Sequence, residues 1–209
     1  MRPAHLAVSA ALMLLPLVSA AGTSKDIEPL KSWTIPAASG QVLEIHLRTG
    51  AGLRITAWDK DEVSVASDWT EQRCPDAEFE VTRTADGVLV ETRYPAGTEV
   101  VTHNCSFAVD IKVPRRYDVR LGSAGGSVAI SGVRGDVRGT TGGGMIELVG
   151  LRGTVQLRTG GGGIIVQDSD LEGSLATGGG RVRFDNVSGG VTGRSGSMRG
   201  IVRGRRSST

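Results

Sequence analysis

Three sets of residues in this sequence are of types that could bind or react: a cysteine pair, a short acidic run and an arginine-rich C-terminus. Cys74 and Cys105 are the only cysteines. The acidic run of Asp168, Asp170 and Glu172 gathers the oxygen ligands that Ca²⁺ prefers. The C-terminal arginines could contact an anionic polymer or a membrane surface, and they are Arg194, Arg199, Arg203, Arg205 and Arg206.

Each set also has a structural interpretation. Two thiols of an exported protein normally pair, and neither cysteine belongs to a Cys-x-x-Cys motif, so a disulfide is favoured over a metal site. Calcium-binding β-rolls carry aspartate after their glycine runs, where this chain has Met145, Ile164 or Arg181. A solvated acidic loop is therefore favoured over calcium, and a solvated chain end over an anion-binding tail.

Other chemistry finds little support in the sequence. The glycine runs recur in successive segments before short apolar stretches, whereas a phosphate-binding loop occurs once, before a helix, and carries a lysine. No Gly-x-Ser-x-Gly motif is present. The carboxylates that a glycoside hydrolase would need are scattered over separate predicted strands, at Glu44, Asp110 and Glu147. We predict neither an enzyme nor a bound cofactor.

Glycine is the residue that sets this composition apart. The chain of 209 residues contains 31 glycines, of which 25 follow Tyr117, and its last proline is Pro114. Glycine without proline and without a three-residue period excludes collagen. Aromatic residues make up 4% of the chain and the formal net charge is only +2, which does not indicate charge-driven disorder.

Four segments are predicted along the chain. Residues 1–21 resemble a signal peptide, with Arg2, an apolar run and small residues at its end; a retained N-terminal anchor is the alternative. Residues 22–117 form a β region that contains a first solenoid-like coil, at Leu47–Val63, and a hairpin in which the Asp86-Gly87 turn joins two alternating stretches. Glycine-rich repeats occupy 118–202, and a basic disordered tail occupies 203–209.

The repeats predict the fold. Two copies of equal length occupy 118–135 and 136–153; a longer third occupies 154–173, a shorter fourth 174–189, and a degraded fifth begins at Gly190. Each copy contains two short apolar-x-apolar stretches separated by a glycine corner, so it can bury its apolar faces only against its neighbours. We predict an all-β, parallel β-solenoid, with an antiparallel β-roll as the lesser option.

Three motifs together resemble one family. They are the segment Gly52–Val65, the Ile-Lys-Val-Pro-Arg strand end at Ile111–Arg115, and the repeated Thr-Gly-Gly-Gly units that begin at Thr141, Thr159 and Thr177. The combination resembles the bacterial putative-adhesin family of exported and envelope proteins, whose domain of unknown function is built from β-strand repeats. The resemblance covers about residues 33–202. It implies a right-handed, β-helix-like fold and an envelope setting, and it supplies no catalytic residues.

These observations predict an exported protein of the periplasm or cell surface, without an integral membrane segment. We expect a non-enzymatic, adhesin-like binding or structural module of the bacterial cell envelope. Its candidate partners are envelope glycans, lipids or an envelope protein, and export argues against nucleic acid. The alternative is a sensor or regulator linked to envelope stress, which binds an envelope-active ligand and reports to a partner.

Overall fold

A computed structural model of the protein describes residues 31–95 and 105–203, with side chains described up to residue 197. The predicted signal peptide at 1–21 and the arginines Arg205 and Arg206 lie outside the described residues. All regular elements within these ranges are β-strands: β1 Lys31–Pro36, β2 Val42–Trp58, β3 Glu62–Ser67, β4 Glu78–Arg83, β5 Gly87–Arg93, β6 Ser106–Pro114, β7 Asp118–Gly125, β8 Val128–Ser131, β9 Arg134–Thr141, β10 Ile146–Val149, β11 Arg152–Thr159, β12 Ile164–Thr177, β13 Val182–Ser188, β14 Thr192–Ser195 and β15 Met198–Arg203.

Alternating residue types produce these strands. In β2, Leu43, Ile45 and Leu47 are buried, and the residues between them face outward at least in part. Successive side chains of a strand point to opposite faces, so this period of two places one apolar row against the core. The repeat strands follow the same pattern, with Val137 and Val155 buried between neighbours that are at least partly exposed.

The strands pair into a closed ring. Seven of them join side by side in the order β2–β7–β9–β11–β12–β10–β8, and β8 pairs again with β2. Every contact in this ring is parallel. These seven strands form a parallel β-barrel, and further strands attached outside the ring extend the buried core beyond it.

The predicted open, right-handed β-solenoid is therefore wrong, and the parallel contacts also exclude the antiparallel β-roll. The cause lies in the length of two strands. β2 has 17 residues, and its first half pairs with β7 while its second half pairs with β8. β12 has 14 residues and joins β10 to β11 in the same way. Each long strand connects two rows of short strands, which closes the hydrogen-bond ladder.

The repeats keep one constant period in the structure. Val119 pairs with Val137, Val137 with Val155, and Ile146 with Ile164, so each strand position meets its equivalent in the next repeat. The unequal third and fourth copies that the glycine spacing predicts are therefore wrong. In the β11–β12 pair, the position equivalent to Val155 is occupied by Gly173, which the sequence analysis placed at the end of the third copy.

Glycine corners allow the backbones of successive repeats to approach. A Cβ atom at Gly142 would collide with the carbonyl oxygen of Ala124. In the same way, a Cβ atom at Gly160 would collide with the carbonyl oxygen of Gly142, and one at Gly178 with that of Gly160. The glycine runs are structural corners, because the first glycine of each run lies against the backbone of the preceding repeat, where a side chain has no room.

Buried hydroxyl groups fix the same corners. Thr159 Oγ1 donates to the carbonyl oxygen of Gly144 at 2.9 Å, and Thr177 Oγ1 donates to that of Gly162 at 2.6 Å. Each bond joins the end of one strand to the corner of the repeat before it. The threonine of each Thr-Gly-Gly-Gly unit therefore satisfies a carbonyl oxygen that the corner removes from the strand ladder.

The remaining strands extend the sheet beyond the ring. β6 lies beside the second half of β2 and carries β3 and β1, while β5 lies beside the first half and carries β4. β4 and β5 form the hairpin around the Asp86-Gly87 turn. At the other end, β13 and β14 pair with β12, and β15 returns antiparallel to β14.

An aromatic cluster and a disulfide stabilise the N-terminal region. The ring of Phe79 lies 5.5 Å from that of Trp33 and 5.6 Å from that of Phe107, measured between centroids, and Trp69 stacks on it at 6.4 Å. In the same core Cys74 is buried and forms a disulfide with Cys105, with Cα atoms 4.9 Å apart. The pairing is the one that the sequence predicts.

The glycine corners can be tested with two neighbouring substitutions. Gly160→Ala places a methyl group against the carbonyl oxygen of Gly142, whereas a Cβ at Gly161 meets no atom within 4 Å. We expect Gly160→Ala to lower the free energy of unfolding by about 2 kcal/mol or more, because the backbones of two repeats must separate. Gly161→Ala is the matched control and should change it by less than about 0.5 kcal/mol. Equal effects in urea denaturation would contradict this account.

The disulfide should make a measurable contribution to stability. The cysteines are separated by 31 positions in the sequence, a loop for which chain entropy predicts a contribution of about 3–4 kcal/mol. We expect Cys74→Ala/Cys105→Ala to lose this amount in denaturant unfolding. Reductant should destabilise the wild-type protein by the same amount and leave the double variant unchanged. Two free thiols in an Ellman titration of the wild-type protein would refute the pairing.

Candidate binding surface

The interior of the barrel holds side chains that are apolar or carry hydroxyls. Among the residues whose side chains are described, no charged one is buried; the buried polar residues are Thr49, Ser67, Thr92, Ser123, Thr141, Thr159, Ser169 and Thr177. Most of these hydroxyls hydrogen-bond to backbone groups, as in the bond from Ser169 Oγ to the carbonyl oxygen of Gln167 at 2.7 Å. The charged groups that could meet another molecule therefore lie on the outside.

The acidic run does not converge on one point. Asp168, Asp170 and Glu172 alternate along β12, and each accepts a hydrogen bond from the following repeat. The donors are Asn186 Nδ2 at 2.6 Å, Ser188 Oγ at 2.8 Å and the backbone N–H of Gly190 at 2.9 Å, respectively. Within residues 31–95 and 105–203 no three possible ligands come together in a metal-binding cluster. These carboxylates instead connect two successive repeats.

A shallow groove of about 220 Å³ lies where β2 and β6 meet β8 and β10. Arg54 and Asp110, on neighbouring strands, form an ion pair of 3.3 Å in its wall, and Glu147 lines the same wall. Met145 also lines the groove, with 43% of its surface exposed. The groove offers a mixed contact surface for another molecule.

The C-terminal arginines that the sequence suggests for contact with an anionic surface lie only partly within the described residues. Arg194 lies in β14 and is exposed. Arg199 and Arg203 belong to β15, which pairs with β14, and their side chains are not described. Contact of these arginines with an anionic surface remains a prediction.

The structure reveals a row of arginines that the sequence analysis missed. Arg116 pairs with Arg134 through an isolated bridge, and Arg134 pairs with Arg152 in the β9–β11 ladder. All three are exposed, and each follows the same corner of the barrel. The inward-facing Val133 and Leu151 immediately precede two of them, so alternation along the strand directs both arginines outward. We call these three residues the arginine ladder.

A signal for the ladder is present in the sequence. Val133-Arg134-Gly135 recurs one repeat later as Leu151-Arg152-Gly153, and Arg116 lies one repeat before Arg134. Their alignment depends on the constant register of the repeats, which the structure establishes. Without that register, each arginine is a single surface charge with no defined neighbour.

Other outer arginines have acidic partners. Arg120 forms an ion pair with Glu44 at 3.0 Å, and Arg138 forms one with Asp136. Burial opposes ionisation of Asp136, but hydrogen bonds from Thr154 and Arg138, together with the nearby charges of Arg138 and Arg120, outweigh it and lower the pKa of this carboxyl. The outer surface thus combines paired arginines with the exposed arginine ladder.

Comparison with solved structures finds similarity to several bacterial proteins. A putative cell adhesion protein from Clostridium sporogenes is 12% identical, with a TM-score of 0.51 over 76% of this chain and 99% of its own. A putative lipid binding protein from Parabacteroides distasonis is 15% identical, with a TM-score of 0.38 over 79% of this chain and 71% of its own. A putative adhesin from Parabacteroides merdae is 9% identical, with a TM-score of 0.29 over 80% and 96%. No family model and no curated protein sequence matches the chain.

The first of these likenesses shows a shared fold across nearly the whole of the Clostridium sporogenes protein. It agrees with the all-β class that the sequence resemblance implies, whereas the right-handed, β-helix-like architecture implied by that resemblance is wrong because the ring of strands is closed. Within the described ranges, no helix has the length and apolar character needed to cross a membrane.

One buried ionisable group carries a testable consequence. Tyr117 is buried beside the start of β7, and its hydroxyl has no hydrogen-bond partner in the described part of the chain. Burial raises the pKa of this phenol to about 12, although the charge of Arg83 opposes the shift. The hydroxyl lies in the core and is not part of an outer surface.

We expect Tyr117→Phe to raise the free energy of unfolding by about 1 kcal/mol, because an unsatisfied buried hydroxyl is removed. The pKa in the folded protein lies above the ordinary value of 10.0. The phenol therefore contributes no pH dependence below pH 10, and wild-type stability falls as the pH rises from 10 through about 12. Tyr117→Phe should lose less stability over this interval. Tyr94→Phe is the matched control, because Tyr94 is only partly buried, and it should not raise the free energy of unfolding in denaturant.

Proposed function

We propose that the protein is an exported, non-enzymatic binding module of the bacterial cell envelope. The observation that carries this proposal is the division of the barrel into an apolar and hydroxyl-lined interior and an outer surface with regular rows of charged residues. Because the repeats fix these rows at strand spacing, the protein presents an extended contact surface.

Two further observations support the cellular setting. A disulfide such as Cys74–Cys105 forms and persists in oxidising compartments, which favours export. The fold is shared with a protein described as a putative cell adhesion protein. Adhesion through an outer face requires no catalytic cleft, so both observations agree with a binding role.

Cosedimentation with fractionated bacterial envelopes tests this function. We expect the disulfide-bonded protein to pellet with at least one fraction among outer membrane, inner membrane and cell wall, and to stay in solution without it. A chain truncated after Arg203 is the matched variant, because it keeps β15 and removes only the residues beyond it. It should still bind, since the proposed contacts are made by the barrel surface.

Three results would contradict the proposal. Absence of binding to every envelope fraction would remove the envelope function. Loss of binding on truncation after Arg203 would transfer it from the barrel surface to the terminal residues. Release of soluble fragments from the envelope polymers by the purified protein would show an enzyme instead.

A further inference from the structure

We propose that the arginine ladder of Arg116, Arg134 and Arg152 is a binding site for a linear polyanion whose carboxylate or phosphate groups repeat along its chain. This inference rests on the proposed function and gives the binding module its ligand class. The site is formed by one guanidinium from each of three successive repeats, and the ligand runs across the strands, parallel to the direction in which the repeats stack.

Register sets the geometry of the site. The three arginines occupy equivalent positions of consecutive repeats, and the backbone fixes them there. Arg134 N–H donates to the carbonyl oxygen of Arg115 at 2.8 Å, and Arg152 N–H donates to that of Val133 at 3.1 Å. Neighbouring strands lie about 4.8 Å apart, so the ladder spans about 10 Å from its first to its last Cα atom. Three cations are thereby held in a line.

The charge of the ladder has no direct partner among the side chains that the structure describes. In residues 31–95 and 105–197, no acidic group lies within ion-pair distance of Arg116, Arg134 or Arg152, and none of the three guanidinium groups makes a hydrogen bond. The adjacent Arg115 shows the contrast, because its guanidinium binds both carboxylate oxygens of Asp59 and lowers the pKa of that carboxyl.

Like charges directly opposite each other on neighbouring strands destabilise a sheet. The ladder places three of them in consecutive register, although glutamine or serine would satisfy the same outer position without repulsion. A bound anion converts this repulsion into attraction. Arginine suits the task, because its planar fork binds carboxylate and phosphate groups through two parallel hydrogen bonds.

The surroundings of the ladder favour a narrow ligand. Two residues further along the strands runs a second row, in which Asp118 accepts a hydrogen bond from the backbone of Asp136, and Asp136 pairs with Thr154. This row offers carboxylates and no cation at the position next to the ladder, although Asp136 is paired with Arg138, so it disfavours an anion that extends in that direction. Two residues before Arg134 and Arg152, Gly132 and Gly150 present no side chain, and the equivalent Pro114 is buried. A single chain fits between the acidic row and the glycine edge, whereas a flat anionic membrane would meet both rows of charge.

The two ends of the ladder differ. Beyond Arg152 the next positions in register are Asp170 and Ser188, which hydrogen-bond to each other at 2.8 Å. Beyond Arg116 the backbone contacts the turn at Gly40, where a Cβ atom would meet nothing within 4 Å. A polyanion is therefore repelled at one end, at Asp170, and can extend past the other. Three contacts, and no more, are expected along the row.

Binding measurements with two soluble polymers test the site. Alginate supplies repeating carboxylates and inorganic polyphosphate supplies repeating phosphates, so the comparison also identifies which anion the ladder prefers. We expect the disulfide-bonded wild-type protein to bind at least one of them at low ionic strength. Arg116→Gln/Arg134→Gln/Arg152→Gln should weaken binding about tenfold or more. It should also reduce the dependence of log Kd on log salt concentration by about three, one for each lost contact.

A matched triple variant separates the ladder from net charge. Arg158→Gln/Arg181→Gln/Arg183→Gln also removes three exposed arginines, none of which lies opposite another arginine in register. It should keep the wild-type affinity within about twofold, since it changes only long-range charge that salt screens. The ladder variant should have a Tm equal to or higher than that of the wild type, because repulsion is relieved, so weaker binding cannot come from unfolding.

The outcomes separate this proposal from the proposed function. Equal affinity of the ladder variant and the wild type, equal losses in both triple variants, or binding of neither polymer would overturn the polyanion site. Binding only to phosphatidylglycerol vesicles would overturn it in favour of a membrane surface. If the ladder variant cosediments with envelopes as the wild type does, the envelope function stands and the ladder is not its site. If the wild type binds polymer but no envelope fraction, the ladder stands and the envelope function fails.

Discussion

The structure depends on one constraint, which is that the backbone of each repeat must lie within hydrogen-bonding distance of the repeat before it. Parallel pairing requires this closeness along the strands, and the corners require it as well. At a corner the backbones of two successive repeats lie directly against each other. A Cβ atom at Gly142, Gly160 or Gly178 would therefore collide with a carbonyl group of the preceding repeat. Glycine is needed at these positions for proximity more than for flexibility.

The same constraint accounts for the absence of proline beyond Pro114. A proline in a ladder strand lacks the N–H that would reach the preceding repeat, and in a closed ring no strand has a free edge that could tolerate this loss. The buried hydroxyls follow for the same reason. A tight corner turns carbonyl oxygens inward, and Thr159 and Thr177 supply donors to those oxygens. Composition, corners and buried polar residues are thus consequences of a single spacing.

Part of this fold could be predicted from the sequence, because strand content, the first repeats and the cysteine pair depend on local patterns. The closure of the ring of strands could not be predicted in this way. In the sequence, the alternating stretches Val42–Leu47 and Leu53–Ala57 are separated by a segment that contains Gly50 and Gly52, yet β2 runs through that segment as one strand. Whether a strand ends or bends at such glycines depends on the strands beside it. Here β7 and β8 pair with its two halves and keep it continuous.

The residues of the candidate site could likewise be predicted only in part, because their contacts depend on strand pairing. The sequence suggested that Asp168, Asp170 and Glu172 are a set because they are close along the chain, but alternation and pairing assign each to a different contact. The reverse holds for the arginine ladder, whose members belong to different repeats and are adjacent in space. In a repeat protein, proximity is decided by register, so candidate sites are found by comparing equivalent positions of the repeats.

Strand register also determines how the charge of outward-facing residues changes along a row of equivalent positions. Because outward-facing side chains contribute little to the core, each repeat can change its surface residue without changing the barrel. In the row that contains the arginine ladder, three repeats carry arginine, and the next two carry Asp170 and Ser188. A row that changes sign in this way attracts an anionic chain over one part of its length and repels it over the rest. The strand register that holds the barrel together therefore also determines where such a ligand must stop.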